Sequence, residues 1–396
     1  MANALRVFSW CVYDLANTAF SALFVSFFFP LYIKDFLGGN EFHIGLAFGL
    51  SMFFVAVLVP FLGAVSDHLR RRMPFIIFFT VLCCIFTWLV IYADLFTALL
   101  FGLLANFCYH ASLGVYNALL PALAPKERRG TISGYGVAAG YLGTLVSLIA
   151  IWILFNNYGW GTSDGIRATF PLTALLFFIP SLLTFFFAEQ SLKKKIGLKK
   201  AVHGAFQDLR TTFSDLKHYK PFLLFLLATF MFVNAITAVI IFLYLYGKSE
   251  IQLSLQSFMV VYAAFAFASL LGAFIAGKVS DKIGHKKTLL FSGYLWIPVI
   301  LILLFVQNHA AFLTAGILGG IALGIFWTAQ RPLLLILTPP KKAGQFFGFL
   351  EFTDKFSGIL GPIIFGFFAV ESYQVALASL LVFFVLGIFF LSRVKV

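Results

Sequence analysis

The stretch GAVSDHLRRR at residues 63–72 recurs in altered form as GKVSDKIGHKK at residues 277–287. Each copy follows one long apolar run and precedes another. In both copies a glycine allows two backbones to approach closely, and an aspartate four residues later can cap a helix or form an ion pair with a basic residue. The copies lie 214 residues apart in a chain of 396. A repeat at this distance predicts a chain built from two equal halves.

The composition is that of a membrane protein. Apolar residues make up 61% of the chain and charged residues only 11%, against roughly a quarter in an ordinary soluble domain. Apolar runs of about 20 residues, long enough to cross the hydrocarbon core as helices, form two groups of six. They lie at residues 8–33, 44–66, 74–93, 95–122, 131–156 and 168–188, and at 221–246, 254–277, 288–306, 310–337, 345–370 and 373–391. We therefore predict an all-α integral membrane protein with twelve transmembrane helices in two six-helix bundles related by pseudo-two-fold symmetry.

Basic residues collect on one side of the predicted membrane. That side includes Arg70–Arg72 and the lysine-rich segment 193–220, whereas the other side has only Lys34, Arg167 and Lys248. Lysine and arginine accumulate in cytoplasmic loops, so both termini are predicted to be cytoplasmic, and we expect a bacterial inner membrane. The net charge of +13 follows from this topology, and nucleic-acid binding is not expected.

One substantial linker, residues 191–220, separates an N-terminal bundle, residues 1–190, from a C-terminal bundle, residues 221–396. After its lysines, apolar residues recur at four-three spacing, which predicts an amphipathic helix on the inner leaflet. These residues are Val202, Phe206, Leu209, Phe213 and Leu216. A tether attracted to anionic lipid and a binding site for a regulatory partner both fit this pattern.

The 214-residue offset also holds inside the spans, where Gly130 and Gly134 align with Gly344 and Gly348. Stripes of small residues in the fifth and tenth spans favour close helix packing. Repeats related by an axis along the membrane normal build transporters whose solute site lies between the halves.

The repeated loop resembles the signature of the major facilitator superfamily: glycine, three residues, aspartate, a basic residue, one more residue, then glycine and basic residues. The second copy is close, whereas the first has His68 where a basic residue is usual and Arg70 in place of glycine. The resemblance implies a cytoplasmic gating motif made of Gly63, Asp67 and Arg71 with Gly277, Asp281 and Lys282. It also implies that the first, fourth, seventh and tenth spans line a central cavity.

A narrower resemblance is to the vacuole-effluxer-like permeases, which include the autophagy-related vacuolar amino-acid effluxer of fungi. It rests on YDLANTAFS at 13–21, VYNALLPALAP at 115–125, SGYGVAAGYLG at 133–143, RATFPLTAL at 167–175, and AQRPLLL at 329–335 with GQFFGFLEFTDKFSGILGP at 344–362. The family pattern leads us to expect an aspartate followed by glycine early in the seventh span. This chain has Asn234 and Ala235 there, which argues against a proton-linked role at that position.

Polar residues inside the spans are candidates for solute binding or ion coupling, because a charged group in hydrocarbon costs about 2.5–3.5 kcal/mol on insertion scales. The candidates are Asp14, Asn17, His110, Asn117, Asn234, Gln330, Arg331, Glu351, Asp354 and Lys355. Helical rise places Arg331 and Glu351 at similar depth, so they could pair, and Lys355 near the midplane.

Two interpretations of the Arg331, Glu351 and Lys355 cluster stay open. It could be a structural ion-pair network, or Arg331 or Lys355 could contact a solute carboxylate. Asp14 is the acid favoured for proton coupling, because a semi-buried carboxylate can exchange a proton near neutral pH; a cap or a partner for a hydroxyl in the fifth span is the alternative. His110 could titrate, or could satisfy a neighbouring carbonyl.

The first hypothesis is a monomeric secondary transporter that moves a small polar or zwitterionic solute, with amino acids suggested by the family resemblance. The sequence shows no ATP-binding motif, no metal-ligand spacing among its four cysteines, and no enzymatic nucleophile with a base, so we expect no cofactor. An exporter of hydrophobic compounds is the alternative within transporters. A receptor or scaffold that does not transport is the alternative from another class.

Overall fold

The computed structural model describes residues 2–188, 197–214, 219–253, 255–369 and 371–396. Within these ranges the chain is helical apart from turns and short connections, and they contain no strand. We number the α-helices in chain order: α1 (Ala2–Phe20), α2 (Phe29–Asp35), α3 (Glu41–Leu69), α4 (Met73–Leu89), α5 (Leu95–Asn117), α6 (Leu120–Leu123), α7 (Arg129–Tyr158), α8 (Ser163–Phe187), α9 (Leu198–Ser214), α10 (Lys220–Ser249), α11 (Leu255–Ile283), α12 (His285–Phe305), α13 (His309–Leu337), α14 (Ala343–Ala369) and α15 (Tyr373–Arg393).

The predicted spans correspond to these helices, with two differences of detail. The first span joins α1 to α2 through a π-helical segment, Ser21–Phe28. The fourth span, predicted as continuous to residue 122, is interrupted after Asn117. Pro121 has no N–H to donate to the Asn117 carbonyl, so the α-helical ladder breaks there and α6 starts anew.

Eleven helical stretches among the described residues are long and apolar enough to cross a membrane. The remaining predicted span, 345–370, corresponds to α14, a helix of 27 residues. Two consecutive turns of this helix hold three charged residues, namely Glu351, Asp354 and Lys355. Because charge in a span is costly, α14 is the helix in which a functional site is most strongly expected.

Among the described residues, five helices begin at a polar side chain that accepts a hydrogen bond from the backbone of the first turn. The capping residues are Asn40, Asp94, Thr162, Asn308 and Ser372. Such caps satisfy amides that a helix start leaves without a partner. At Asp94, hydrogen bonds from Thr97 hold the pKa of the carboxyl below its usual value, so this cap is lost only as the pH falls through that lowered pKa.

The chain forms two compact units. Unit 1 comprises Met1–Leu123, Ala139–Thr211 and Lys341–Phe352, and unit 2 comprises Ala124–Ala138, Thr212–Pro340 and Thr353–Val396. Each unit therefore includes one short piece, 341–352 in unit 1 and 124–138 in unit 2, whose sequence neighbours belong to the other unit.

Aromatic residues fill the interior of unit 1 where α1 meets α5. Tyr116 stacks on Trp10 and Tyr13 with ring centroids 5.0 and 4.6 Å away, and its hydroxyl donates to the Trp10 carbonyl at 2.7 Å. The Tyr13 hydroxyl lies 2.6 Å from that of Thr80 on α4. These rings are fully buried with their polar atoms bonded, as stable aromatic packing requires.

In unit 2, the glycine stripe of α13 packs on α11. A Cβ at Gly320 would lie 2.6 Å from the carbonyl oxygen of Phe265, and one at Gly324 would overlap the Ser269 carbonyl. The predicted packing role of this stripe is confirmed.

Candidate functional site

The aspartate of the first repeat, Asp67, lies at the N-terminus of α14 within unit 1. Its carboxylate accepts hydrogen bonds from Arg72 Nη2 at 2.6 Å and from the backbone N of Gln345 at 3.2 Å. One turn earlier, Gly63 faces Gly344 so closely that a Cβ on either would overlap the other's carbonyl. The positive end of the α14 dipole and the guanidinium both stabilise this carboxylate, whose side chain is 5% exposed.

Asp281, the aspartate of the second repeat, makes the matching contact within unit 2. Its Oδ1 accepts from the backbone N of Gly130 at 2.7 Å, and its Oδ2 accepts from the backbone N and hydroxyl of Thr131 at 2.7 and 2.5 Å. Gly277 and Gly130 face each other, since a Cβ on either would lie 2.8 Å from the other's carbonyl oxygen. Asp281 thus caps α7 as Asp67 caps α14.

The two caps obey the 214-residue offset, because Gly130 and Thr131 correspond to Gly344 and Gln345. Sequence reasoning missed the two capped helices. The guanidinium that pairs with Asp67 belongs to Arg72, whereas Arg71 of the predicted gating motif lies in the turn between α3 and α4, and its role stays a prediction. Lys282 is exposed.

Replacing Asp281 with asparagine is expected to destabilise the protein. Asparagine has one acceptor oxygen and no charge, so at least one of the three hydrogen bonds is lost, at a cost of about 1–3 kcal/mol. Thermal unfolding in detergent measures the change. The control is Asp164→Asn, on the exposed first turn of α8; equal melting temperatures for the two variants would contradict the capping role.

Inside unit 1, α5 and α14 bring together a buried carboxylate, an imidazole and an amide. Asn117 Nδ2 donates to Glu351 Oε1 at 3.1 Å, and His110 Nδ1 lies 3.8 Å from Glu351 Oε2. The side chains of His110 and Glu351 are 4% and 7% exposed. The ring of Tyr109 lies against that of His110, with centroids 4.6 Å apart.

This Glu351 cluster, made of His110, Asn117 and Glu351, can hold a variable number of protons. With one proton shared between His110 and Glu351 the pair is neutral overall; without it the pair is an anion, and with two it is a cation. A buried net charge costs several kcal/mol unless it is compensated. A change of protonation at this pair therefore changes the stability of the surrounding arrangement, which is what ion coupling requires.

In unit 2, the same helix α14 contributes a second buried carboxylate. Asp354 accepts from Gln330 Nε2 through both oxygens, each at 3.1 Å, and both side chains are buried. Their sequence neighbours Arg331 on α13 and Lys355 on α14 are half-buried. In unit 2, Asp354 is thus held by an amide, and a half-buried basic residue follows each member of this pair in the sequence.

The other predicted residues are buried and bonded. Asn234 donates to the Phe230 carbonyl and accepts from the backbone N of Gly361, both at 2.7 Å, so it ties α10 to α14. Asp14 accepts from Asn17 Nδ2 at 3.1 Å on α1. A binding or coupling role for these residues stays a prediction.

In the part of the chain that the structure describes, no group of three histidine, cysteine, aspartate or glutamate side chains could hold a metal ion. The four cysteines are buried and form no disulfide with one another.

Comparison with solved structures identifies the fold. The fold aligns over its whole length with the whole of the fucose:proton symporter FucP of E. coli, with a TM-score of 0.80 at 15% identity. It also aligns over 99% of its length with the whole human organic anion transporter MFSD10, with a TM-score of 0.76 at 14% identity. The fold is that of the major facilitator transporters, so the predicted twelve-helix fold class is confirmed.

Residues 40–396 match the family described as "Vacuole effluxer Atg22 like". Relatives in sequence include an uncharacterized MFS-type transporter, YxiO of Bacillus subtilis, 24% identical over 98% of this chain and 94% of the relative. Another is the multidrug resistance protein MdtG of Salmonella paratyphi A, 26% identical over 90% of this chain and 86% of the relative. The chain belongs to the vacuole effluxer Atg22-like family, and it is a multi-pass membrane transporter and not an enzyme.

Proposed function

We propose that this transporter moves a small polar or zwitterionic solute by alternating access, with amino acids as the first class to test. The Glu351 cluster carries the proposal. Its carboxylate, imidazole and amide lie buried together in a membrane helix bundle, where burying polar and ionisable groups costs free energy. A transporter needs such groups to bind a polar solute or a coupling ion. A monomer with a central solute cavity fits this scheme.

The proton is the proposed coupling ion, and Glu351 with His110 is its proposed site. Asn117 orients the carboxylate by donating to one oxygen, while His110 faces the other oxygen. Uptake of a proton neutralises the anionic pair and lowers the cost of keeping it buried. Asp14, the acid favoured from the sequence, is the alternative coupling residue.

Arg331 and Lys355 are the proposed partners of an acidic group on the solute. Replacing Arg331 with glutamine should raise the KM about tenfold to a hundredfold, because one hydrogen bond to a charged group is worth about 1.5–3 kcal/mol. Concentration-dependent uptake into proteoliposomes measures it. Lys341→Gln, an exposed basic residue in the turn before α14, is the control. If neither variant alters the KM, Arg331 does not bind the solute.

The repeated loops are proposed to stabilise one end state of the cycle. Asp67 and Asp281 cap α14 and α7, and both caps need the glycine contacts beside them. Transport then requires these caps to separate and re-form. Because basic loops stay in the cytoplasm, we place the face that carries both repeats on the cytoplasmic side of a bacterial membrane. Both termini are proposed to lie on the same side.

A solute screen tests the proposed function. Amino acids, short peptides and other small polar compounds are added to the purified protein, since a ligand that binds the folded state raises its melting temperature. Each stabilising compound is then tested for counterflow in proteoliposomes. Counterflow of a polar solute supports the proposal, and its absence for every compound that binds contradicts it.

Export of hydrophobic compounds is the second candidate, favoured by the similarity to a multidrug resistance protein along most of the chain. It predicts efflux of several unrelated dyes. It also predicts that dye efflux continues at the wild-type rate in Arg331→Gln and Glu351→Gln.

A further inference from the structure

The linker helix α9 docks on α3 through a face that its apolar pattern does not reveal. Ala201 and Ala205 are fully buried and pack with Ala64 and Val65 of the first repeat. Of the predicted apolar stripe, Val202 and Phe206 are 40% and 63% exposed, which leaves them available to lipid; Leu209 is half-buried, and the Phe213 side chain and Leu216 lie outside the described residues. Small residues thus make the protein contact.

His68 lies in the middle of this docked face. Gly204 of α9 presses against the imidazole, since a Cβ there would lie 2.6 Å from His68 Cε1. His68 Nε2 is 2.8 Å from Asp208 Oδ2, and Lys342 Nζ is 3.2 Å from Asp208 Oδ1. One carboxylate on α9 therefore joins the end of α3 to the turn that precedes α14.

Asp208 is the acidic partner of His68, because the other charged groups nearby are bonded elsewhere or are basic. Asp67, the adjacent residue on α3, is paired with Arg72 and with the start of α14. On α9, His203 is bonded to Gln207 and exposed. Lys342 is the cation that shares Asp208 with His68.

We propose that α9 is a pH-sensitive latch, in which protonation of His68 strengthens its bond to Asp208 and holds the start of α14 against α3. The latch goes beyond the proposed transport function, because it concerns a contact that exists without solute. Protonation gives the imidazole a positive charge, so a Coulomb attraction to the Asp208 carboxylate is added to the hydrogen bond that already joins the two side chains. Acid on the face that carries α9 therefore favours the latched state.

The expected effect is moderate. The side chains of His68 and Asp208 are 32% and 33% exposed, so water and salt screen their attraction. We expect a two- to fivefold change in the opening equilibrium, about the size that a partly exposed ion pair supports.

Hydrogen exchange of the α9 amides, corrected for intrinsic exchange rates, tests the latch at about pH 5.5 and about pH 7.5. In the wild type, α9 should exchange two- to fivefold more slowly at the lower pH. Asp208→Asn should exchange faster at both pH values and lose this dependence. His68→Arg, which restores the basic residue usual at this position, should be protected equally at both. Amides of α12 serve as the internal control for folding.

A wild-type α9 that is equally protected at both pH values overturns the proposal, as does a pH dependence that survives in Asp208→Asn. If Asp208→Asn does not fold, Lys342→Gln is measured in its place. In Lys342→Gln the α9 amides should be less protected at both pH values, and the dependence of their exchange on pH should remain. Unchanged protection in Lys342→Gln would also overturn the link to α14. These measurements need no solute, so a failed transport assay leaves the test of the latch intact.

Discussion

Replacing Glu351 with glutamine should reduce gradient-driven accumulation of solute to the level of protein-free vesicles. Glutamine keeps the shape of the side chain and an oxygen that can accept from Asn117, but it removes the carboxylate that we propose as the proton site. Solute exchange at equal pH on both sides should continue, because it needs no net proton movement. Accumulation and counterflow of the identified solute, measured in the same proteoliposomes, separate the two effects.

Asp14→Asn is the matched comparison for this prediction, because Asp14 is also buried and accepts from an asparagine amide. Asp14→Asn should keep gradient-driven accumulation within about twofold of the wild type, a difference of under 1 kcal/mol. Loss of accumulation in Asp14→Asn with normal accumulation in Glu351→Gln would assign coupling to Asp14. It would contradict the role given to the Glu351 cluster.

Replacing Gly63 with alanine should detach the start of α14 and lower the melting temperature by several degrees. The new Cβ would overlap the carbonyl of Gly344, so the two backbones must separate and Asp67 loses its bond to Gln345. Overpacking a tight contact costs about 1–3 kcal/mol. Thermal unfolding reports the loss, and hydrogen exchange over residues 343–349 should show faster exchange at the start of α14.

Gly49→Ala is the control for this substitution. Gly49 lies on the same helix, α3, and a Cβ there meets nothing within 4 Å. Alanine is favoured over glycine in a helix by about 0.8–1.0 kcal/mol, so Gly49→Ala should keep or slightly raise the melting temperature. Equal melting temperatures for Gly63→Ala and Gly49→Ala would show that the contact with Gly344 does not constrain the fold.

The class of fold and the positions of the spans could be predicted because hydropathy and helical periodicity are local properties of the sequence. The same local signals located the glycine stripe of α13 and the capping potential of Asp67 and Asp281. The break after Asn117 has a local cause too, in Pro121, although the apolar run across it concealed the effect.

The partners of these residues could not be predicted, because they come from segments far apart in the sequence. Nothing near Asp67 indicates that it caps α14, and nothing near Asp208 indicates that it contacts His68. The docked face of α9 was hidden for a different reason. Its small residues carry little hydropathy, whereas the larger Val202 and Phe206 dominate the pattern and remain exposed.

Solute-driven proton movement tests the central claim most directly. Proteoliposomes containing the wild type, with no imposed gradient, receive the transported solute outside, and solute entry and external pH are followed together. We predict a pH change that accompanies solute entry in the wild type and is absent in Glu351→Gln. Solute entry without any pH change in the wild type, or an equal pH change in Glu351→Gln, would contradict proton coupling at the Glu351 cluster.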